Sequence, residues 1–147
     1  MNELLRQHGA GLELAETGED RGLLVHALPD GREDLVAAAI DQCGSDGDEV
    51  RHAVALFRGR DSTTESKRSA CFTLARVLES RRQLLKDELL SKDEGALFQI
   101  ANEFDVRHRG LRQRGKYDQA FLDWIFWWYL GTIELTNQLV MRDQTGE

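Results

Sequence analysis

Six side chains that carry, or can acquire, a positive charge lie between positions 107 and 116, where the chain reads RHRGLRQRGK without an acidic residue. An arginine guanidinium can hold two phosphate oxygens at once, and glycine lets the backbone pass close to a ligand. The segment therefore predicts a phosphate-binding site, for which an RNA backbone has suitable chemistry. The positively charged positions are Arg107, His108, Arg109, Arg112, Arg114 and Lys116.

The same cations also have a structural interpretation. Positive side chains in the last turn of a helix are stabilised by the negative end of the helix dipole, which accounts for residues 107 to 109. Gly110 would then be the left-handed residue that ends the helix. Arg112, Arg114 and Lys116 would pair with the surplus carboxylates of the protein on a solvent-exposed loop.

A third interpretation makes Arg107 a residue that holds the fold together. Its guanidinium would form charge-assisted hydrogen bonds with Glu103, Asp105 or Asp118. Replacing Arg107 by alanine would then loosen the protein rather than remove an activity. Sequence spacing leaves the three interpretations open.

Composition limits where a phosphate could bind. The chain has 147 residues, with 19 Lys and Arg against 26 Asp and Glu, so its formal net charge is -7. The average field repels phosphates and anionic membranes, and any phosphate binding must be local. Cys43 and Cys71 lack the paired spacing of a metal site, which predicts two reduced, buried thiols in a cytoplasmic protein, with a disulfide between them as the alternative. The remaining histidines are isolated, so we predict neither a metal nor another cofactor.

The elements that must position these residues are mainly helical. Before Pro29, two apolar runs separated by the turn-rich TGEDRG predict a small β-hairpin over Leu12 to Ala15 and Leu23 to Leu28. We therefore expect a single domain over residues 1–147, with a hairpin region over 1–30 and a helical bundle over 31–147.

Helical spacing of apolar residues predicts four or five helices in that bundle. The first two end at Gly44 and near Gly59, and the longest spans residues 62 to 90. The next helix begins at Ser91, and the last begins near Asp118. The predicted core stripe of the longest helix is Cys71, Leu74, Leu78, Leu85 and Leu89.

The last predicted helix is apolar on nearly every side between Phe121 and Leu130, which is typical of a central helix or an interface helix. Asp123, Glu134 and Asn137 fall inside the roughly 20-residue window that a membrane span needs, so we predict no membrane association.

Adjacent aromatic side chains on this helix must point in different directions. Base stacking is one use for them, but their density favours core packing and a dimer contact. We assign Phe121, Ile125, Trp128 and Leu135 to the core. The predicted interface residues are Trp124, Trp127 and Tyr129.

The segment KDEGALFQIANEFDVRHRGLRQRGKYDQAFLDWIFWWYLGTIEL, with the helix before it, resembles a family of small, uncharacterised bacterial proteins and, more distantly, the HEPN superfamily. HEPN domains are helical bundles, often dimeric, and many are metal-independent ribonucleases of bacterial defence. Their mark is an arginine at a helix end, commonly followed by a polar residue, with a histidine about four to six residues further on. Arg107 and His108 match the first two positions, whereas Leu111, Arg112 or Gln113 stands where the histidine is expected.

The resemblance implies a mechanism in which a ribose 2′-hydroxyl attacks the adjacent phosphate and leaves a cyclic phosphate. Arg107 would stabilise the added negative charge on phosphorus, and His108 would transfer the proton in place of the displaced histidine. Two copies would pack through the aromatic helix. The implied substrate-binding residues are Arg109, Arg112, Gln113, Arg114, Lys116 and Tyr117.

These observations predict a mainly α protein, a four- to five-helix, HEPN-like bundle with a small N-terminal β-hairpin. The predicted function is RNA binding or metal-independent RNA cleavage by a cytoplasmic homodimer, in phage defence or a toxin–antitoxin system. The alternative is a noncatalytic helical module for dimerisation or protein interaction. That alternative requires only an exposed apolar patch.

Overall fold

The computed structural model describes residues 2, 4, 11–16, 21–26, 31–41, 43–103 and 119–146. Within these residues the fold is mainly helical with a two-stranded N-terminal hairpin, as predicted, but it has six α-helices rather than four or five. The strands are β1 (Leu12–Leu14) and β2 (Leu24–His26), and a 3-10 turn covers Gly44–Asp46. The helices are α1 (Arg32–Asp41), α2 (Gly47–Arg58), α3 (Thr64–Ser80), α4 (Arg82–Glu88), α5 (Ser91–Glu103) and α6 (Gln119–Thr145).

The hairpin is antiparallel, with Glu13 opposite Val25 at its centre. Val25 is buried, and it also forms a β-bridge with Gly59 at the end of α2. The side chain of Asn2 pairs with the backbone of Leu14 on the other side of the hairpin, accepting from its N–H at 2.6 Å and donating to its carbonyl at 3.0 Å. Both edges of this short sheet therefore have hydrogen-bond partners, which two isolated strands would lack.

Arg58 holds the hairpin to the helices. Its side chain is buried and forms two hydrogen bonds with the carboxylate of Glu33 on α1, at 2.9 and 3.2 Å. It also donates to Glu13 on β1 at 3.2 Å. A guanidinium can serve two carboxylates at once because its donors point in fixed, divergent directions. Arg58 thus joins β1, α1 and α2 at one point.

The predicted single helix over residues 62 to 90 is wrong, because the chain breaks at Arg81. α3 ends at Ser80, Arg81 has φ −105° and ψ 12°, and α4 begins at Arg82. The apolar stripe nevertheless continues across the break. Cys71, Leu74, Leu78 and Leu85 are all buried, and Leu89 packs partly buried against them, as predicted.

The core lies between α6 and the helices α1, α2 and α3. The ring of Phe57 on α2 stacks on that of Phe126 on α6, with ring centres 3.8 Å apart. Cys43 and Cys71 are buried and free, so both thiols are reduced, as predicted. The assignment of Ile125 to the core is confirmed, whereas Phe121 and Leu135 are 48% and 39% exposed. Trp128, the fourth residue of that assignment, is partly buried against the core.

Candidate functional site

The predicted catalytic and RNA-binding residues lie outside the residues that the structure describes. α5 ends before them at Glu103, and α6 begins after them at Gln119. Their roles stay predictions from the sequence. These residues are Arg107, His108, Arg109, Arg112, Gln113, Arg114, Lys116 and Tyr117.

The three predicted interface residues occupy different environments on α6. Trp124 is 51% exposed, whereas Tyr129 is buried. The Tyr129 hydroxyl donates a hydrogen bond to the carbonyl of Leu97 at 3.1 Å. Trp127 is half-buried, and its ring packs nearly perpendicular to that of Phe57, with ring centres 5.5 Å apart. Of the three side chains, Trp124 has the surface to contact a partner directly.

A row of uncharged residues runs along α6 on the side where Trp124 lies, and we call it the α6 seam. Its members are separated alternately by three and four residues, so they lie on one stripe of a helix. The ring of Trp128 stacks on that of Trp124, with ring centres 5.5 Å apart. The seam contains no charged residue, although 31% of the whole chain is charged. It consists of Phe121, Trp124, Trp128, Gly131, Leu135 and Gln138.

The two acidic residues of this stretch of α6 do not disturb the seam. Asp123 is paired with Lys67 on α3, with 2.8 Å between the ammonium nitrogen and the carboxylate oxygen. Glu134 is buried and accepts hydrogen bonds from the side-chain amides of Asn137 and Gln138. Asp123 is therefore paired with a cation and Glu134 is hydrogen-bonded within the chain, and the seam residues themselves carry no charge.

No contact among the described residues accounts for the glycine at position 131, in the middle of the seam. A Cβ atom at this position would meet nothing within 4 Å. Glycine in a helix interior destabilises it by roughly 0.5–1 kcal/mol relative to alanine, so a tolerated glycine usually serves close packing. At Gly131 the described residues provide no close neighbour, which leaves room for a group from outside the chain.

A second feature that the sequence did not reveal is a polar cluster around Arg81. Its guanidinium donates to the Thr136 hydroxyl and the Asn137 side-chain carbonyl, both at 2.6 Å. It also donates to Asp46 and to the Cys43 sulfur, both at 3.0 Å. The sequence around Arg81 contains no glycine or proline, and among the described residues these partners account for the end of α3 at Ser80.

The buried thiols are poor nucleophiles. Burial raises the pKa of Cys71 to about 12. Burial also raises the pKa of Cys43, although the neighbouring Arg81 guanidinium opposes that change. Both cysteines therefore stay protonated near neutral pH, and they are unreactive because the thiolate is the nucleophilic form. Cys71 contributes to core packing, and Cys43 belongs to the Arg81 cluster.

Within the described ranges, no three His, Cys, Asp or Glu side chains are grouped so as to hold a metal ion. None of the helices in that part of the chain has the length and apolar composition that crossing a membrane requires. Comparisons of the chain with protein-family models, with curated proteins and with solved structures find no match.

Proposed function

We propose that this protein is a helical module that forms a homodimer through the α6 seam. The observation that carries the proposal is the neutral, aromatic stripe around Trp124, in which Trp124 and Leu135 are exposed and Trp128 is half-buried. Exposed apolar strips of this kind mark interaction sites in soluble domains, and tryptophan is among the residues that contribute most to protein interfaces.

The balance of charge supports association through this face. Two copies that each carry a formal net charge of -7 repel one another, and their contact surface must bring as few like charges together as possible. The seam contributes no charged side chain to the contact. The gain comes from apolar burial, at roughly 25 cal/mol per Å² removed from water, and an aromatic ring at the centre supplies much of that area.

Replacing Trp124 by glutamate should prevent dimerisation. A carboxylate in the seam would have to lose its water without gaining a partner, so we expect the dissociation constant to rise at least ~100-fold. Analytical ultracentrifugation of the wild type at tens of micromolar should give twice the 16.7 kDa chain mass, and the variant should sediment as a single chain.

Leu90→Glu is the matched control, because Leu90 is 75% exposed and lies between α4 and α5, outside the seam. It makes the same change from an apolar to an acidic side chain, yet it should leave the mass of the dimer unchanged. A wild-type protein that stays monomeric at several hundred micromolar, or a Trp124→Glu variant that remains dimeric, would contradict the proposal.

The second candidate function is HEPN-like RNA binding or metal-independent RNA cleavage in bacterial defence, and Arg68 favours it. Its side chain is buried on α3, its Nε has no hydrogen-bond partner, and its contact with Glu65 is long at 3.4 Å. The same end of α3 meets the start of α6, where Gln119 donates to Thr64 at 3.5 Å. The start of α6 therefore lies near the end of α3 that carries Arg68, a buried guanidinium whose Nε has no hydrogen-bond partner among the described residues.

In this second candidate, Arg107 stabilises the charged phosphorus centre while the ribose 2′-hydroxyl attacks it. The bond to the 5′ oxygen breaks, and His108 moves the proton. Removing either side chain should lower the cleavage rate at least ~100-fold, the usual size of an acid–base or electrostatic contribution.

Cleavage of single-stranded and structured RNA should be measured in EDTA with the wild type, Arg107→Ala and His108→Ala. Arg76→Ala is the control, since Arg76 is an exposed arginine on α3. Loss of cleavage in both variants, with Arg76→Ala active, is the expected result. Failure of the wild type to bind or cut any of these RNAs would leave dimerisation as the function of the module.

A further inference from the structure

We infer that the two α6 helices of the dimer pack antiparallel around a twofold axis, with Trp128 of each copy lying over Gly131 of the other. This inference rests on the proposed dimer and adds the orientation of the partner and the residue that determines it. It follows from the spacing of the seam, from the sizes of its side chains and from the direction of the helix dipoles.

The spacing of the seam reads the same in both directions. From Phe121 to Gln138 the intervals are three, four, three, four and three residues. A twofold axis that passes between residues 129 and 130 therefore places every seam residue opposite another seam residue. Trp124 meets Leu135 of the other copy, and Phe121 meets Gln138. This is the a-to-d pairing that antiparallel helices with a heptad spacing adopt.

Side-chain size selects this alignment over a parallel one. In the antiparallel pair the largest side chain, Trp128, faces Gly131, which has none, and the helices fill the space between them. In a parallel pair in register, Trp128 would face Trp128 while Gly131 faced Gly131. The first layer would be overfilled and the second would leave a gap, and both kinds of misfit are unfavourable in a packed interface.

Electrostatics favour the same orientation. α6 is 27 residues long, so its two ends carry the full partial charges of a helix dipole. Antiparallel packing places the positive end of each helix beside the negative end of the other. A parallel pair would put like ends together on a seam with no charged residue to compensate them.

Gly131→Ala tests the role of the glycine. Within one chain the added methyl group meets nothing and alanine favours the helix, so the dilute variant should unfold at a slightly higher temperature than the wild type. In the antiparallel dimer the same methyl group enters the space of Trp128. We expect the dissociation constant to rise at least ~10-fold. An unchanged or tighter dimer would overturn the Trp128–Gly131 contact.

A spin label at position 144 tests the orientation directly. Gln144 is exposed on the last turn of α6, on the opposite side of the helix from the seam, and the two native cysteines are buried, so Gln144→Cys can be labelled selectively. In the antiparallel dimer the two labels are separated by about 29 residues of helix, which puts them about 45 Å apart. In a parallel dimer in register they lie about 20 Å apart.

Pulsed electron paramagnetic resonance on the labelled Gln144→Cys protein should give the longer distance, and ultracentrifugation of the same sample should give the dimer mass. A distance near 20 Å with a dimer mass would overturn the antiparallel arrangement and leave the proposed dimer standing. A monomer mass at several hundred micromolar would overturn the dimer itself.

Discussion

Replacing Arg81 by alanine is expected to lower the free energy of unfolding by about 3–5 kcal/mol, because it removes one partner of a largely buried charge pair. The Arg81 side chain is 14% exposed, and its partner Asp46 is 27% exposed. Without the guanidinium, Asp46 loses its paired charge, and the polar side chains of Thr136 and Asn137 lose a donor in buried positions. Each such loss is costly because water cannot replace the donor inside the core.

Urea denaturation of the wild type, Arg81→Ala, Arg81→Lys and Arg76→Ala would measure this effect. Arg76→Ala removes an exposed arginine from α3, the helix that ends just before Arg81, so it should change the free energy by no more than about 0.5 kcal/mol. Lysine at position 81 keeps the charge but cannot reach as many acceptors, and it should fall between the other two variants. If Arg81→Ala unfolded at the same urea concentration as Arg76→Ala, the Arg81 cluster would have no structural importance.

Two leucines on α6 should separate stability from association. Leu130 is fully buried in the core, and Leu130→Ala should lower the free energy of unfolding by about 2–5 kcal/mol. Leu135 belongs to the seam, and Leu135→Ala should change the stability of a single chain by about 0.5 kcal/mol or less. Its effect should instead appear in the dimer, as a dissociation constant at least ~10-fold higher, because Leu135 packs against Trp124 of the other copy.

The unfolding measurements with the two leucine variants should be made at low micromolar concentration, because dimer formation adds to apparent stability as concentration rises. Dissociation constants should come from sedimentation equilibrium on folded samples. The two variants make the same chemical change on one helix, so each serves as the control for the other. If Leu135→Ala destabilised the single chain as much as Leu130→Ala did, the seam would be part of the core and not a contact surface.

The elements in which one local signal dominates follow the predictions made from the sequence. Alternating apolar runs around a turn-rich segment predicted the hairpin, and its strands lie inside the predicted ranges. Apolar residues at helical intervals predicted the buried face that runs through Leu74, Leu78 and Leu85. In both cases the spacing alone decides which side of an element is apolar, because side chains repeat every two residues on a strand and about every 3.6 on a helix.

The predictions were less successful where the local sequence pattern was compatible with more than one structure. The break at Arg81 follows no glycine or proline, and it depends on Asp46, Thr136 and Asn137, which are distant in sequence. Around Trp127 almost every position of α6 is apolar, so the helical period could not say which side faces inward. The assignments of Phe121 to the core and of Tyr129 to an interface follow from that ambiguity.

Periodicity, turn residues and charge are properties of neighbours along the chain, so they are enough to predict a mainly helical protein with a short N-terminal hairpin and a locally basic segment in an acidic chain. The packing of the elements buries Phe126 and Tyr129 and leaves Trp124 and Leu135 exposed. The same packing lets Arg81 join the end of α3 to the 3-10 turn and to α6. Both results depend on which elements pack together. An apolar side chain is buried only where another element covers it. An arginine stabilises a break between two helices only where acceptors from distant parts of the chain surround it.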